Sequence, residues 1–346
     1  MQQQNNKAVA TWLLVGAVMI VIQVLLGGLT RLTDSGLSIT EWQPLLGSVP
    51  PLNNTQWQEA FDKYKELAQF KSIHSYFTLS DFKFIYLWEW FHRIWARLMG
   101  VVFVIPFVYF MYKKWINKTM LTPMIILFLL GGLQGFVGWF MVKSGVGTDL
   151  IFVDHTRLAI HFIAALILLI YVIWFALKLI IPINELVYAP AAKSMNIIII
   201  VVLTLQLIYG AFMAGSRAAY AAITWPSING YFAPPLMITK ENFWSDIINN
   251  LLAIQFIHRG LAYILLVLII VFAFQLKKIK GNKFFHTTCY WSLYLVIVQV
   301  VLGIFTILKY TSTYKLTLSI SHQFVGMLLL ISLFITLFSL SKKERG

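Results

Sequence analysis

Four of the seven histidines, His92, His161, His258 and His322, stand near one end of long apolar stretches and at matching depth. An ionisable group inside an apolar membrane helix is expensive to place and marks function by default. Two imidazoles facing each other across a helical bundle make an axial pair for haem iron, with the porphyrin between apolar side chains. Zinc wants three or four ligands at about 2.0–2.3 Å, and non-haem iron a third ligand on the same facial set. Two such histidines per half and a single cysteine, Cys289, supply neither, and no intrachain disulfide can form. A bis-histidine haem site in each half fits best, His92 with His161 and His258 with His322. His74, His155 and His286 fall in loops or at a helix edge, where a solvated imidazole is expected.

One position separates the two halves. Glu89 precedes His92 by three residues in WEWFHRIWAR, at the mouth of an apolar run, whereas Gln255, an uncharged isostere, precedes His258 by three. Residues at i and i+3 share a helix face, so only one haem site has an acid or base beside it. That difference makes one haem the group worked upon and the other its servant. A second reading leaves Glu89 to complement the helix dipole and pair with Arg93 at i+4. Arg31, Arg93, Arg157, Arg217 and Arg259 lie near the same ends and are candidate partners of haem propionates, since guanidinium binds carboxylate bidentately. Snorkelling to the membrane interface is the alternative use of each.

The elements that carry these residues follow from hydropathy. Of 346 residues, 59% are hydrophobic and 12% charged, about half the charged fraction of a soluble domain. Apolar runs of spanning length fall near 9–29, 92–112, 122–142, 158–180, 195–215, 256–276, 288–308 and 318–340. They also repeat. Gln23-x-x-x-Gly27 with Trp42 and Pro50-Pro51 recurs as Gln206-x-x-x-Gly210 with Trp225 and Pro234-Pro235; Gln134-x-x-x-Gly138 recurs as Gln299-x-x-x-Gly303; His92-Arg93 recurs as His258-Arg259. An even number of helices per repeat returns the chain to its starting side. The expected fold is therefore an all-α integral membrane protein whose eight transmembrane helices form two four-helix bundles related by a pseudo-two-fold axis along the membrane normal. The halves are residues 1–190, with a long outer loop at 31–91, and 191–346. Gln-x-x-x-Gly reads as packing glue, a small residue for close approach and an amide for an interhelical hydrogen bond. Asn54 to Ala68 has the spacing of a short helix lying on the membrane surface or on the bundle.

The formal charge of +14 does not indicate nucleic acid, because no basic face combines with a soluble recognition fold. The lysines gather instead at Lys113, Lys114 and Lys118, at Lys277, Lys278, Lys280 and Lys283, and at Lys342, Lys343 and Arg345. By the positive-inside rule these segments and both termini are cytoplasmic. The start, MQQQNNKAVA, lacks the arginine-rich character of a transit peptide, and the first apolar run has no small-residue cleavage site. A bacterial inner membrane is the simplest home.

The chain resembles the haem A synthase family, in particular its proteobacterial and mitochondrial branch. The resemblance rests on Gly27 to Thr33, Ser35-Gly36-Leu37-Ser38, Glu41-Trp42, Pro50-Pro51, Phe61 to Tyr64, Asp81-Phe82-Lys83, Trp88-Glu89 with His92-Arg93, Arg157-Leu158-Ala159 with His161, Thr224-Trp225-Pro226 with Asn229-Gly230, Gln255-Phe256 with His258-Arg259, and His322-Gln323. It implies oxidation of the C8 methyl of haem O to a formyl group by two hydroxylations and loss of water, giving haem A for cytochrome oxidase. It also implies that His92 and His161 hold the substrate haem O, that His258 and His322 hold a resident haem b relaying electrons, and that Glu89 is the essential acidic residue. Some relatives carry a cysteine pair in the first outer loop; this chain does not, so a thiol-dependent step does not transfer. The implied partners are haem O, membrane lipid and an electron donor, with a contact to the haem O synthase and a homo-oligomer left open. A membrane di-haem cytochrome that only moves electrons is the competing function.

Overall fold

The computed structural model describes residues 2–41, 49–235, 237–239 and 241–341. Trp42 of the repeat and the basic tail residues Lys342, Lys343 and Arg345 lie outside the described residues. Among those described, eight helices are long and apolar enough to cross a membrane, and they match the eight apolar runs. The spans are α1 (Gln2–Leu32), α3 (Leu79–Tyr112), α4 (Lys118–Val142), α5 (His155–Ile180), α6 (Pro190–Gly215), α8 (Leu251–Lys277), α9 with α10 (Lys283–Thr288 and Trp291–Leu308) and α11 (Lys315–Ser339). Two short helices, α2 (Asn54–Lys65) and α7 (Phe243–Asn249), lie in the connections.

Several helices begin well before their apolar runs, because capping and not hydropathy sets where a helix starts. At α3, Thr78 and Asp81 form a reciprocal capping box, satisfying two of the first-turn amides that would otherwise lack partners. This moves the start from the expected 92 to 79, about 20 Å of helix at 1.5 Å per residue. Glu89 and His92 thus sit in the third and fourth turns of a continuous helix rather than at its mouth. Asn250 does the same for α8, its side chain accepting from the amides of Leu252 and Ala253.

The chain divides into two compact units. One is Trp12–Leu169; the other is Ile170–Gly346 together with Gln3–Thr11. The boundary thus falls within α5. Within the first unit α1 and α3 run antiparallel, joined by three bonds in one register. The Trp12 indole donates to the carbonyl of Val102 at 2.8 Å, Trp95 to Met19 at 2.9 Å and the Gln23 amide to His92 at 3.1 Å. In the second unit α6, α8, α10 and α11 close a ring in which each helix packs on two others. The Asn196 amide on α6 donates to the Leu333 carbonyl on α11 at 2.9 Å.

The expected helix at 54–68 is α2, and it packs on the protein. Its buried Phe61 and Tyr64 meet Phe82 and Ile85 of α3 and Leu37 of the loop after α1. Phe61 stacks on Phe82 with ring centroids 5.0 Å apart. His74 is not solvated as expected: it ends a turn of π-helix (Phe70–His74) and is buried. The Tyr64 hydroxyl lies 2.6 Å from its Nδ1 and donates to Gln69 at 2.8 Å, while its ring stacks on Phe77 at 3.9 Å. Burial, with the negative charges of Asp34 and Glu89 adding to it, pushes the Tyr64 phenol up from 10.0.

Removing that hydroxyl takes a hydrogen-bond donor from the buried Gln69 side chain, so Tyr64→Phe lowers stability by about 1–3 kcal/mol, read as an earlier thermal midpoint in detergent. A raised folded-state pKa means that the protonated phenol contributes its stability fully below the ordinary value of 10.0 and loses it as pH rises above. The melting midpoint of the parent chain should therefore fall more steeply above that pH than that of Tyr64→Phe.

Candidate active site and histidine cradles

Each of the four helix histidines faces a glycine on a neighbouring helix, and that glycine is the one in Gln-x-x-x-Gly. A methyl group at Gly27 of α1 would lie 3.2 Å from Nε2 of His92 on α3, and one at Gly138 of α4 would lie 2.9 Å from Cε1 of His161 on α5. In the second unit Gly210 of α6 faces His258 at 3.4 Å, and Gly303 of α10 faces His322 at 3.0 Å. The glutamine one turn earlier reaches the same histidine. Gln23 and Gln134 each donate to the backbone carbonyl, of His92 and His161 respectively, at 3.1 Å. The Gln134 nitrogen is also 3.2 Å from Nδ1 of His161. The Gln206 and Gln299 nitrogens lie 3.5 and 3.4 Å from Nε2 of His258 and His322. The motif therefore does more than bring helices together: it makes a cradle for an imidazole. Its fourfold recurrence opposite the histidines was the signal in the sequence, and its reading as packing glue missed the partner.

The arrangement fits haem. His258 and His322 stand with ring centroids 6.5 Å apart at 75°. Metal–imidazole bonds of about 2.0–2.1 Å, with about 1 Å from ring centre to nitrogen, place two axial imidazoles about 6 Å apart centre to centre. The Nδ1 atoms of both rings are buried without a hydrogen-bond partner, which a native bundle does not ordinarily leave so. Among the described residues no group of three or more His, Cys, Asp or Glu could hold a metal ion, so a metal here must bring most of its own ligands, as haem iron does. His155 opens α5 and His286 is exposed on α9.

Glu89 and Gln255 occupy matching frames built with opposite polarity. Both are buried, and each takes a hydrogen bond from the arginine four residues on, Arg93 to Glu89 and Arg259 to Gln255, both at 2.5 Å. Both arginines also donate to carbonyls of the preceding connection, Arg93 to Ile39 and Glu41, Arg259 to Ala222 and Ser227. The remaining contacts differ in kind. Glu89 Oε2 accepts from the Ser38 hydroxyl at 2.8 Å and the Ile39 amide at 2.9 Å. The Gln255 amide instead donates to the carbonyls of Ala218 at 2.6 Å and Ala222 at 3.2 Å. The first frame presents donors and suits a carboxylate; the second presents acceptors and suits an amide. Glu89 lies too far along α3 to serve the helix dipole, and Asp81 holds that place; the pairing with Arg93 is present. In the sequence Ser38 stands out only as part of the motif Ser35-Gly36-Leu37-Ser38, with no role, and Ile39 not at all, because a loop hydroxyl and a backbone amide carry no spacing signal.

The other arginines have varied settings. Arg157 donates to the Phe140 carbonyl at 3.0 Å and lies over its ring at 4.1 Å. Arg31 ends α1, and Arg217, in the left-handed region at φ 57°, precedes a 3-10 turn (Ala218–Ala221). Asp154 fixes the start of α5: against the burial that raises it, hydrogen bonds from Thr156 and the Arg157 amide hold its carboxyl below the usual range.

Residues 10–334 match the COX15-CtaA family, described as cytochrome oxidase assembly protein. A protein named heme A synthase from Flavobacterium psychrophilum is 39% identical over 343 residues, covering 98% of this chain and all of that protein. The chain belongs to the haem A synthase family. A relative of the same name from Flavobacterium johnsoniae is 37% identical, again over 98% of this chain and the whole of the relative. One from Rhodospirillum centenum is 39% identical over 92% of this chain and 84% of its own length. The haem A synthase resemblance first carried by the motif residues thus extends along nearly the whole chain.

If the glycines are cradles, space should decide their tolerance. Gly138→Ala puts a methyl 2.9 Å from the His161 ring, whereas Gly132→Ala on the same helix meets nothing within 4 Å. The former should lower haem bound per protein, measured by absorbance of the pyridine complex, and the latter should leave it unchanged.

Proposed function

We propose that this chain oxidises the C8 methyl of haem O to a formyl group, yielding haem A for cytochrome oxidase. Each of two hydroxylations replaces a C–H bond by a C–OH bond, the carbon giving up two electrons to an external oxidant and the hydroxyl oxygen coming from that oxidant or from water. The geminal diol then loses water to leave the formyl group. Haem O is the substrate of the half spanning 1–190, held by His92 and His161, and haem b is resident in the half spanning 191–346, held by His258 and His322. When bound, haem b supplies one-electron redox chemistry linking an electron donor to the substrate half.

The single observation that carries this reading is the carboxylate at 89 standing in a frame of donors where the other half has an amide in a frame of acceptors. A carboxylate has about four lone-pair positions. Ser38 and Ile39 occupy Oε2 and Arg93 occupies Oε1, so Oε1 retains acceptor capacity for a proton released as the methyl is oxidised. Ser38, Ile39 and Arg93 fix the carboxylate so that it need not reorganise when it takes that proton. Arg31, Arg93, Arg157, Arg217 and Arg259, at the same ends of the helices as the histidines, are the candidates to meet the propionates. The protein is multi-pass in the bacterial inner membrane, with the lysine-rich turns at 113–118 and 277–283 and both termini on the cytoplasmic side.

Glu89→Gln should leave the protein folded with haem bound and abolish formyl-haem formation in cells making haem O. Extraction of the bound haems and their mass provides the readout, and a normal haem A yield would overturn the role of Glu89. Replacing His258 or His322 by alanine should remove haem b; loss of haem O alone would mean that the two halves are reversed.

A further inference from the structure

The two units use the same Gln-x-x-x-Gly motif differently, and the difference bears on which haem stays. Gln23 and Gln134 spend an amide N–H on the backbone carbonyl of their histidines, at 3.1 Å each. Gln206 and Gln299 meet the ring alone, 3.5 and 3.4 Å from Nε2 of His258 and His322, whereas Gln134 reaches both the carbonyl and Nδ1 of its histidine. An imidazole that binds metal through one nitrogen keeps its proton on the other, and an acceptor for that proton fixes the ring and raises its basicity. The amide oxygens of Gln206 and Gln299 are buried without a partner, so a half-turn of either terminal amide exchanges its N···N contact with the ring for an oxygen acceptor and breaks no other bond shown. The same half-turn at Gln23 or Gln134 would break the bond to the carbonyl.

We propose that Gln206 and Gln299 are positioning residues that accept the ring proton of His258 and His322, fixing these imidazoles as strong, electron-rich axial ligands of the resident haem. The inference rests on the assignment of haem b to this pair. Gln23 and Gln134 hold helix backbone instead, which leaves His92 and His161 as the weaker ligand pair, as a haem that must arrive and depart requires.

An acceptor on an axial imidazole favours ferric over ferrous iron, so its removal should raise the reduction potential. Redox titration of the purified haem b-bound protein, followed by optical absorbance, gives the readout. Outer partners of metal-binding histidines are worth about 10–100-fold in affinity. Gln206→Leu or Gln299→Leu should therefore shift the ferric-to-ferrous preference of haem b about tenfold, about 59 mV upward for a one-electron couple. Gln206→Glu, with a stronger acceptor, should shift it downward. Gln23→Leu should leave it in place. Should the leucine variants lose the haem, retention of haem with a downward shift in Gln206→Glu still supports the proposal. Loss of haem in Gln206→Glu as well, an unchanged or raised potential in that variant, an unchanged potential in the leucine variants that keep their haem, or an equal shift in Gln23→Leu overturns it. Retention of haem b in His258→Ala and His322→Ala would instead overturn the assignment of the haem on which the proposal stands.

Discussion

A polar group placed among helices that face lipid must be given both room and a hydrogen-bond partner, because the surrounding hydrocarbon supplies neither. Four imidazoles impose that demand here, and the same local device answers each. A glycine removes the side chain that would collide with the ring, and a glutamine one turn away on the same helix bonds the histidine, Gln23 and Gln134 at its backbone carbonyl and Gln134, Gln206 and Gln299 at its ring. The spacing is dictated by helix geometry, since residues four apart lie one above the other on a single face. Odd and even members of each set of spans are thereby bound into pairs, one contributing the cradle and the other the ring.

The second demand is set by Glu89, which is buried without lying at a helix end. Its partners come from the loop after α1, and that loop is held from outside. Leu37, next to Ser38, is buried in the cluster of Phe61, Tyr64, Phe82 and Ile85. The α2 helix therefore acts on the site at one remove: it packs the loop whose hydroxyl and amide hold the carboxylate. Arg93 closes the arrangement by joining Glu89 to the loop carbonyls of Ile39 and Glu41.

Comparison of the two frames shows how little a duplicated scaffold needs to change to acquire chemistry. Glutamate and glutamine have nearly the same shape, and Arg93 and Arg259 treat them alike. The connection before the helix decides the polarity, with a hydroxyl and an amide facing Glu89 and two carbonyls facing Gln255. Glutamine at 89 would keep an acceptor for Ser38 and Ile39 and oppose only Arg93, whereas glutamate at 255 would face two carbonyls, so each frame favours its own residue.

Hydropathy and charge in the sequence by themselves determined the eight spans, because apolar length is what a bilayer requires. The repeat likewise picked out the four histidines and the odd glutamate, and helical spacing picked out the short helix α2. Helix starts were not legible from hydropathy, because capping by Thr78, Asp81 and Asn250 extends helices through residues too polar to register as membrane. The cradles and the donors on Glu89 were decided only by tertiary structure. They join Gly138 to His161, or Ser38 to Glu89, across tens of residues, and a glycine or a backbone amide shows its purpose only once folding has set a ring or a carboxylate against it.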